Sequence, residues 1–131
     1  MSPQLQLEYG ILLFQNGRAS DGDRVFRSLR RLWRETEQFV VVPERLRWLL
    51  GPDGKTPLTV HAIVASDYGS RAMALVQEFG QAQVLFRPEE HGIRNVVVRT
   101  RLTCHVSFGH NGPFLRPVTA GPTEAARAPH A

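Results

Sequence analysis

The fold of this chain is decided near its C-terminal end, by the stretch LTCHVSFGHNGPFLRPVT at 102–119. Residues 102–108 alternate in character, as in a half-buried β-strand, because successive side chains of a strand point to opposite faces. One face carries the apolar side chains Leu102, Cys104, Val106 and Phe108. A turn sequence at 110–113 leads into a second strand-like run at 114–119. We therefore predict two neighbouring strands joined by a tight turn.

Three more short strands precede this pair. The first alternates over 58–65, with one face formed by Leu58, Val60, Ala62 and Val64. A turn at 67–70 leads to strands predicted at 72–76 and 84–86. Five short strands separated by turn signals predict a small closed β-barrel.

The N-terminal part, residues 4–42, has the pattern of two helices. An apolar segment that starts at Leu5 ends at Gly17, which can adopt the left-handed conformation of a helix C-cap. Ser20, with Asp23 three residues later, predicts the start of the second helix as a variant of the capping box. Because the connection is short, we expect the two helices to pack antiparallel as a hairpin.

The second helix is predicted to be amphipathic. Its apolar face is formed by Val25, Phe26, Leu29, Leu32 and Trp33. The opposite face is almost purely basic and carries Arg24, Arg27, Arg31 and Arg34, with Arg30 on the flank. A helix face of one sign suits contacts with phosphates, although a solvated face that keeps the protein soluble is the simpler alternative. We interpret Trp33 as core.

The connector and the chain ends complete the organisation. Residues 44–50 are predicted to form one or two helical turns that bury Trp48 and Leu49, before a strong turn at 51–54. We divide the chain into three parts. These are the helical hairpin with its connector (1–54), the barrel (55–120) and a flexible tail (121–131).

The composition limits the classes of protein that fit. The chain has 131 residues and a formal net charge of +4, and Lys55 is the only lysine among its 16 basic residues. A charge this small does not by itself make a nucleic-acid binder. Cys104 is the only cysteine, which excludes an internal disulfide framework and a thiolate zinc cage. No apolar run reaches about 18 residues and no secretory signal is visible, so we expect a cytoplasmic protein without a membrane segment.

Residues 58–119 resemble a known family at three places. These are the run at 63–65 followed by the turn at 67–69, the strand at 84–88, and the closing turn and strand FGHNGPFLRPV at 108–118. In spacing and turns they are similar to the cold-shock domain, a five-stranded OB-fold barrel. The resemblance implies an α+β protein in which the N-terminal hairpin packs on a five-stranded antiparallel OB or cold-shock-like barrel. It also implies binding of single-stranded RNA or DNA, which that family achieves by stacking bases on surface aromatics.

This sequence departs from the family at the stacking positions. The resemblance places them on Ile63, Ser70, Ala72, Leu85, Arg87 and Pro88. None of these is aromatic, so we expect binding with little base stacking. The same substitutions predict an apolar barrel face formed by Ile63, Ala72 and Leu85.

The helical hairpin also resembles a known unit. The positions that carry the resemblance are Gly10, Leu13, Gly17, Gly22, Phe26 and Leu29, which are spaced as in one tetratricopeptide-type repeat. No second copy is present, and a solenoid of such units needs about three repeats to be stable. We therefore expect a lone hairpin packed on another element.

From these features we predict a small protein that binds nucleic acid, with single-stranded RNA as the first candidate. The predicted contact residues are Arg24, Arg27, Arg31, Arg34, Tyr68, Arg71 and Arg87. The alternative is an interaction adaptor or homodimer that uses the apolar barrel face and the helical hairpin.

No residue pattern points to catalysis. The five histidines have no metal-ligand spacing, and Cys104 falls on the apolar side of its strand, where a thiol is inert. Ser107, with His105 or His110 and Asp67, has the residue types of a catalytic triad, but no nucleophile-elbow sequence supports that role. We expect no enzymatic activity, no metal and no cofactor.

Overall fold

The helical hairpin is formed as the sequence predicts. The structure is a computed structural model, and it describes residues 2–35, 40–92 and 97–123. Helix α1 (Pro3–Gln15) begins at Ser2, whose side chain accepts a hydrogen bond from the Leu5 N–H at 3.2 Å. It ends where Gly17 takes a φ of 77° and the Arg18 N–H donates to the Leu13 carbonyl at 2.8 Å. This left-handed C-cap confirms the predicted helix end.

Helix α2 (Ala19–Glu35) starts earlier than expected. The Gly22 N–H already donates to the Arg18 carbonyl, so Ser20 lies inside the first turn and the predicted capping box is wrong. Arg18 pairs with Asp21 at 2.8 Å instead. Ala19 is the first residue of the helix and is already buried, so the helix begins one residue before the predicted cap.

Two glycines let α1 and α2 approach closely. A Cβ atom added at Gly22 would lie 2.6 Å from the Phe14 ring, and one added at Gly10 would lie 3.1 Å from the Phe26 ring. The small residues of the hairpin are therefore required by its packing.

The barrel has five strands, which are β1 (Val60–Asp67), β2 (Ala72–Val76), β3 (Ala82–Phe86), β4 (Thr100–Gly109) and β5 (Gly112–Thr123). Their order around the barrel is β1-β2-β3-β5-β4, and the barrel is closed. The pairs are antiparallel except for β3 and β5, which run parallel and pair at Leu85 and Phe114. The barrel is therefore mixed rather than wholly antiparallel, and it is compatible with an OB-like barrel.

The barrel interior follows the alternation in the sequence. The apolar faces predicted for the first and fourth strands are buried, apart from Leu58, which precedes β1 and is half-buried. The prediction that Ala72 lies on the outer face is wrong. Ala72 is fully buried because β2 begins at that residue with its side chain inward, so Met73 and Leu75 face out. Strand β5 reaches Thr123, beyond the predicted end at 119, and residues 124–131 of the predicted tail lie outside the described residues.

The hairpin closes one end of the barrel. Phe79, in the 3-10 turn Gln77–Phe79 between β2 and β3, and Phe108, near the end of β4, both lie at this end. The Phe14 ring centroid is 5.1 Å from that of Phe79 and 5.5 Å from that of Phe108, and Phe26 stacks on Phe108 at 6.4 Å. Four aromatic rings therefore join the two parts of the molecule.

The connector forms a single 3-10 turn, Glu44–Leu46, and then lies along β4 as an extended segment. The Leu49 N–H donates to the Val106 carbonyl at 2.9 Å, and the Phe108 N–H donates to the Arg47 carbonyl at 2.8 Å. Leu49 is buried as predicted, but Trp48 is 37% exposed, so its predicted burial is wrong. Neighbouring side chains of an extended segment point to opposite sides, and burial of Leu49 turns Trp48 outward.

Candidate functional site

A groove of about 580 Å³ runs between α2 and the outer surface of the barrel. Its helix side is formed by Asp23, Arg30, Trp33 and Arg34. Its sheet side is formed by Met73 on β2, Gln83 and Leu85 on β3, and Pro113 and Phe114 on β5. His110 and Asn111, in the turn between β4 and β5, close one end. The volume lies within the range of small-molecule sites, roughly 300–1,000 Å³.

The floor of the groove is apolar. Met73 pairs with Leu85 across β2 and β3, and Leu85 pairs with Phe114 across β3 and β5. All three side chains point out of the barrel and are half-buried. Ile63 and Leu75 pair alongside, so outward apolar side chains extend across four strands.

Helix α2 is held over this floor by two long-range hydrogen bonds. Arg30 donates from Nη1 to the Asn111 carbonyl at 2.7 Å, and Trp33 donates from Nε1 to the His110 carbonyl at 3.0 Å. Gly112 has a φ of 119°, and a Cβ atom there would lie 3.3 Å from the Phe26 ring. The helix and the β4–β5 turn therefore hold each other in place.

The predicted arginine stripe does not face the groove as a unit. Of its four members only Arg34 lines the groove. Arg24 lies 3.7 Å from Asp21, and Arg27 lies 2.6 Å from Asp23, so both charges are paired. Within the described residues, Arg31 and Arg34 have no carboxylate partner. At 3.6 residues per turn, Arg24 and Arg31 lie about a quarter-turn away from the groove.

The three site residues predicted on the barrel also lie outside the groove. Tyr68 is 67% exposed in the turn between β1 and β2, where its N–H donates to the Arg71 carbonyl at 2.8 Å. This turn lies at the end of the barrel opposite the helices. Arg87 follows β3 and lies 3.5 Å from Glu90. It lines a smaller neighbouring cavity of about 200 Å³, which shares Phe114 with the groove.

Sequence reasoning missed the residues that shape this groove. Trp33, which the sequence predicts as core, packs partly buried against the core but also lines the groove, and so does Arg30, which is predicted on the helix flank. Phe114 carries a signal in the sequence, since the burial of Leu115 turns its neighbour outward. The pairing of Phe114 with Leu85 depends on the parallel contact of β3 and β5, which no local pattern encodes.

The groups with shifted pKa values lie outside the groove. Burial, and to a lesser extent the charge of Glu78, raises the pKa of the Cys104 thiol to about 12. Partial burial of Glu78 opposes its ionisation, but hydrogen bonds from the backbone N–H and the ring of His61, both at 2.8 Å, hold its pKa below the usual range. Hydrogen bonds from Thr56 and Lys55 lower the pKa of Asp53, in the turn at 51–54, to about 2.

Among the described residues, no three His, Cys, Asp or Glu side chains are grouped to hold a metal ion. The buried Ser107 hydroxyl accepts a hydrogen bond from Arg116 Nε at 2.8 Å. None of the helices in the described ranges has the length and apolar character needed to cross a membrane.

No family model, curated protein or solved structure matches this chain. The functional interpretation therefore depends on the geometry of the groove and the chemistry of its residues.

Proposed function

We propose that this protein binds single-stranded nucleic acid, with RNA as the first candidate, in the groove between α2 and the β2–β3–β5 surface. The observation that carries the proposal is the contrast between the two sides of the groove. Arg34 supplies positive charge on one side, beside Arg30, whose charge is partly offset by Asp23 at 4.0 Å, and Leu85 and Phe114 supply an apolar floor on the other. A single strand needs both, because its phosphates are charged and its bases present flat apolar faces.

The aromatic side chains of the groove replace the missing stacking positions. Phe114 and Trp33 are half-buried and line the same groove. Stacking of a base on such a ring contributes about 1–3 kcal/mol. The groove is short, so we expect about micromolar rather than nanomolar affinity at low salt.

The family resemblances support the same proposal. OB-fold barrels bind oligonucleotides on the surface of strands 2 and 3 with the adjoining loops, and the groove lies on β2 and β3 beside the β4–β5 turn. We assign the barrel to the cold-shock-like type on this basis. The tetratricopeptide-like hairpin then acts as the basic wall, and the close approach of its helices at Gly22 supports that assignment.

Three other arginines among the predicted contact residues would attract nucleic acid by long-range electrostatics. Arg31, Arg71 and Arg87 are exposed around the groove or at the barrel end, and they attract a polyanion without touching its bases. The proposal is a binding function in the cytoplasm, with no catalytic step and no cofactor.

A second candidate is a partner protein whose binding segment carries apolar and acidic residues. The outward apolar side chains continue past the groove to Ile63 and Leu75. The ion pairs of Arg24, Arg27 and Arg87 also leave less free positive charge than the sequence predicts. This pattern favours binding of a protein segment over binding of a long nucleic-acid strand along a continuous basic surface.

The test is fluorescence anisotropy with a labelled mixed-sequence single-stranded RNA between low and physiological salt. Arg34→Glu and Phe114→Ala should each weaken binding about tenfold, because each removes a groove contact. Arg24→Glu is the matched control, since it makes the same charge change on the same helix away from the groove.

Two results would contradict the proposal. One is the absence of RNA binding at low salt. The other is an equal loss in Arg34→Glu and Arg24→Glu, which would mean that net charge and not the groove determines binding. Binding of an acidic, leucine-containing peptide that is lost in Phe114→Ala, without RNA binding, would favour the adaptor.

A further inference from the structure

A second groove, of about 570 Å³, lies on the outer surface of β4 and β5. The connector forms one side through Arg47 and Trp48, and the strands form the other through His105 and Arg116 with Pro117 and Val118. It shares no lining residue with the groove beside α2. It is therefore a separate feature of the surface.

Trp48 lies in a segment whose backbone is fixed against β4. The backbone on either side of it is bonded to β4, through the Arg47 carbonyl and the Leu49 N–H. Its indole meets the His105 ring edge to face, with centroids 6.5 Å apart and an interplanar angle of 89°. An exposed indole fixed in this way is a preorganised platform for another flat ring.

The polar groups around Trp48 suit an anion with hydrogen-bonding edges. Arg116 donates a hydrogen bond to Ser107 and also pairs with Glu90 at 3.4 Å, and Arg47 pairs with the highly exposed Glu44 at 3.5 Å. Both carboxylates are exposed to solvent, so these ion pairs are contacts of small energy that a phosphate can replace. No carboxylate is among the described residues that line this groove. In the part of the chain that the structure describes, neither the Trp48 indole N–H nor the His105 ring has a hydrogen-bond partner.

The geometry points to a nucleotide subsite, in which a base stacks on Trp48 and its phosphate lies between Arg47 and Arg116. This inference rests on the proposed function, because it extends the contact with single-stranded nucleic acid to a second place. The two grooves are connected across β5. The small cavity beside Arg87 touches Phe114 of the first groove and Arg116 of the second. These two residues lie two positions apart on one face of β5, roughly 7 Å along the strand.

The two tryptophans of the chain allow each groove to be measured by itself. Trp33 lines the first groove and Trp48 the second. In Trp33→Phe, the fluorescence of Trp48 reports the proposed subsite alone. In Trp48→Phe, the fluorescence of Trp33 reports the first groove.

The experiment is a titration of Trp33→Phe with adenosine 5′-monophosphate, followed by the labelled single-stranded RNA. We expect saturable quenching of Trp48, with a midpoint that Arg47→Glu in the same background raises about tenfold, the effect of losing one charge-assisted contact. Arg45→Glu is the matched control, because Arg45 is exposed on the same connector and pairs with Glu8 instead of lining the groove.

The outcomes separate the subsite from the proposed function. If neither probe quenches Trp48, or if Arg45→Glu and Arg47→Glu have equal effects, the subsite is overturned. If RNA binding remains sensitive to Arg34→Glu in that case, the proposed function stands. Saturable quenching of Trp48 by the mononucleotide in Trp33→Phe, together with no RNA binding by the wild-type protein, would support the subsite and contradict the proposed function.

Discussion

Trp33 donates its indole N–H to the backbone carbonyl of His110 at 3.0 Å, and so connects α2 to the turn between β4 and β5. The two residues are 77 positions apart in the chain. The hairpin closes one end of the barrel. Because this contact holds α2 against the side of the barrel, the same helix also forms one wall of the groove. The candidate site therefore depends on both parts of the molecule.

The first prediction concerns the close approach of the two helices. Gly22→Ala should lower the free energy of unfolding by about 1–3 kcal/mol, because the added methyl group overlaps the Phe14 ring, which other aromatic rings hold in place. This loss exceeds the gain of about 1 kcal/mol that alanine brings to a helix interior. Urea unfolding measures the difference. Ser28→Ala, at an exposed position of α2, is the control, and a Gly22→Ala protein as stable as the wild type would mean that the helices are farther apart.

The second prediction concerns the aromatic contact between the hairpin and the barrel. Phe14→Ala should cost about 3–5 kcal/mol, because this buried ring contacts Phe26, Phe79 and Phe108 and its removal leaves a cavity. Thermal and urea unfolding measure the loss. Leu12→Ala removes an exposed side chain from the same helix and should cost much less. Similar costs for the two variants would argue against an aromatic interface between the hairpin and the barrel.

The third prediction concerns Cys104. Its pKa of about 12 in the folded protein exceeds the ordinary value of 9, so the unfolded chain loses the thiol proton first as the pH rises. The stability due to this group is therefore complete below pH 9 and declines between pH 9 and 12. Native protein should react very slowly with a thiol reagent at pH 8 and rapidly in urea. The wild type should also lose stability above pH 9 more steeply than Cys104→Ala, and parallel curves would contradict the raised pKa.

The fourth prediction concerns the contact between Glu78 and His61. The pKa of Glu78 is lowered in the folded protein, so its contribution to stability is present above its unfolded value of 4.5 and is lost as the pH falls through the folded value. Glu78→Gln should therefore be less stable than the wild type at pH 7, and the difference should shrink below about pH 4.5. Unfolding curves across this range test it, with Glu89→Gln as an exposed control. A difference that does not change with pH would exclude a role for the carboxylate charge.

The fifth prediction concerns the salt dependence of RNA binding. Each phosphate contact adds about 0.7 to the slope of log affinity against log salt for a single strand. Arg34→Ala should reduce that slope by about one contact, because Arg34 lines the groove without a carboxylate partner among the described residues. Arg27→Ala should change it less, since Asp23 already neutralises Arg27. Equal slopes in the wild type and Arg34→Ala would place Arg34 away from the phosphates.

Much of the barrel is predictable from the sequence because the burial of alternate residues imposes a period of two. The errors arise where a shift of one residue exchanges the inward-facing and outward-facing side chains of a segment. The resemblance assigns Ala72 to an outward stacking position, whereas β2 begins at that residue with its side chain inward. The composition of 44–50 favours a helix that would bury Trp48, whereas the segment lies extended on β4.

The candidate site is less predictable than the barrel. Its wall is fixed by hydrogen bonds from Arg30 and Trp33 to backbone carbonyls, and any residue can supply a carbonyl. Its floor depends on the parallel pairing of Leu85 and Phe114. Contacts of this kind do not depend on residue type or spacing, so the sequence does not predict them. The predicted arginine stripe therefore identifies the correct helix, α2, but most of its arginines do not line the groove.

Within the described residues, the register between β3 and β5 contains one pair, Leu85 and Phe114. This junction is the seam of the barrel, and it has far fewer ladder positions than the junction of β4 and β5. Because the same two side chains form the floor of the groove, a ligand lying there would stabilise this junction. The amides around Phe114 would then gain protection from hydrogen exchange when the groove is filled.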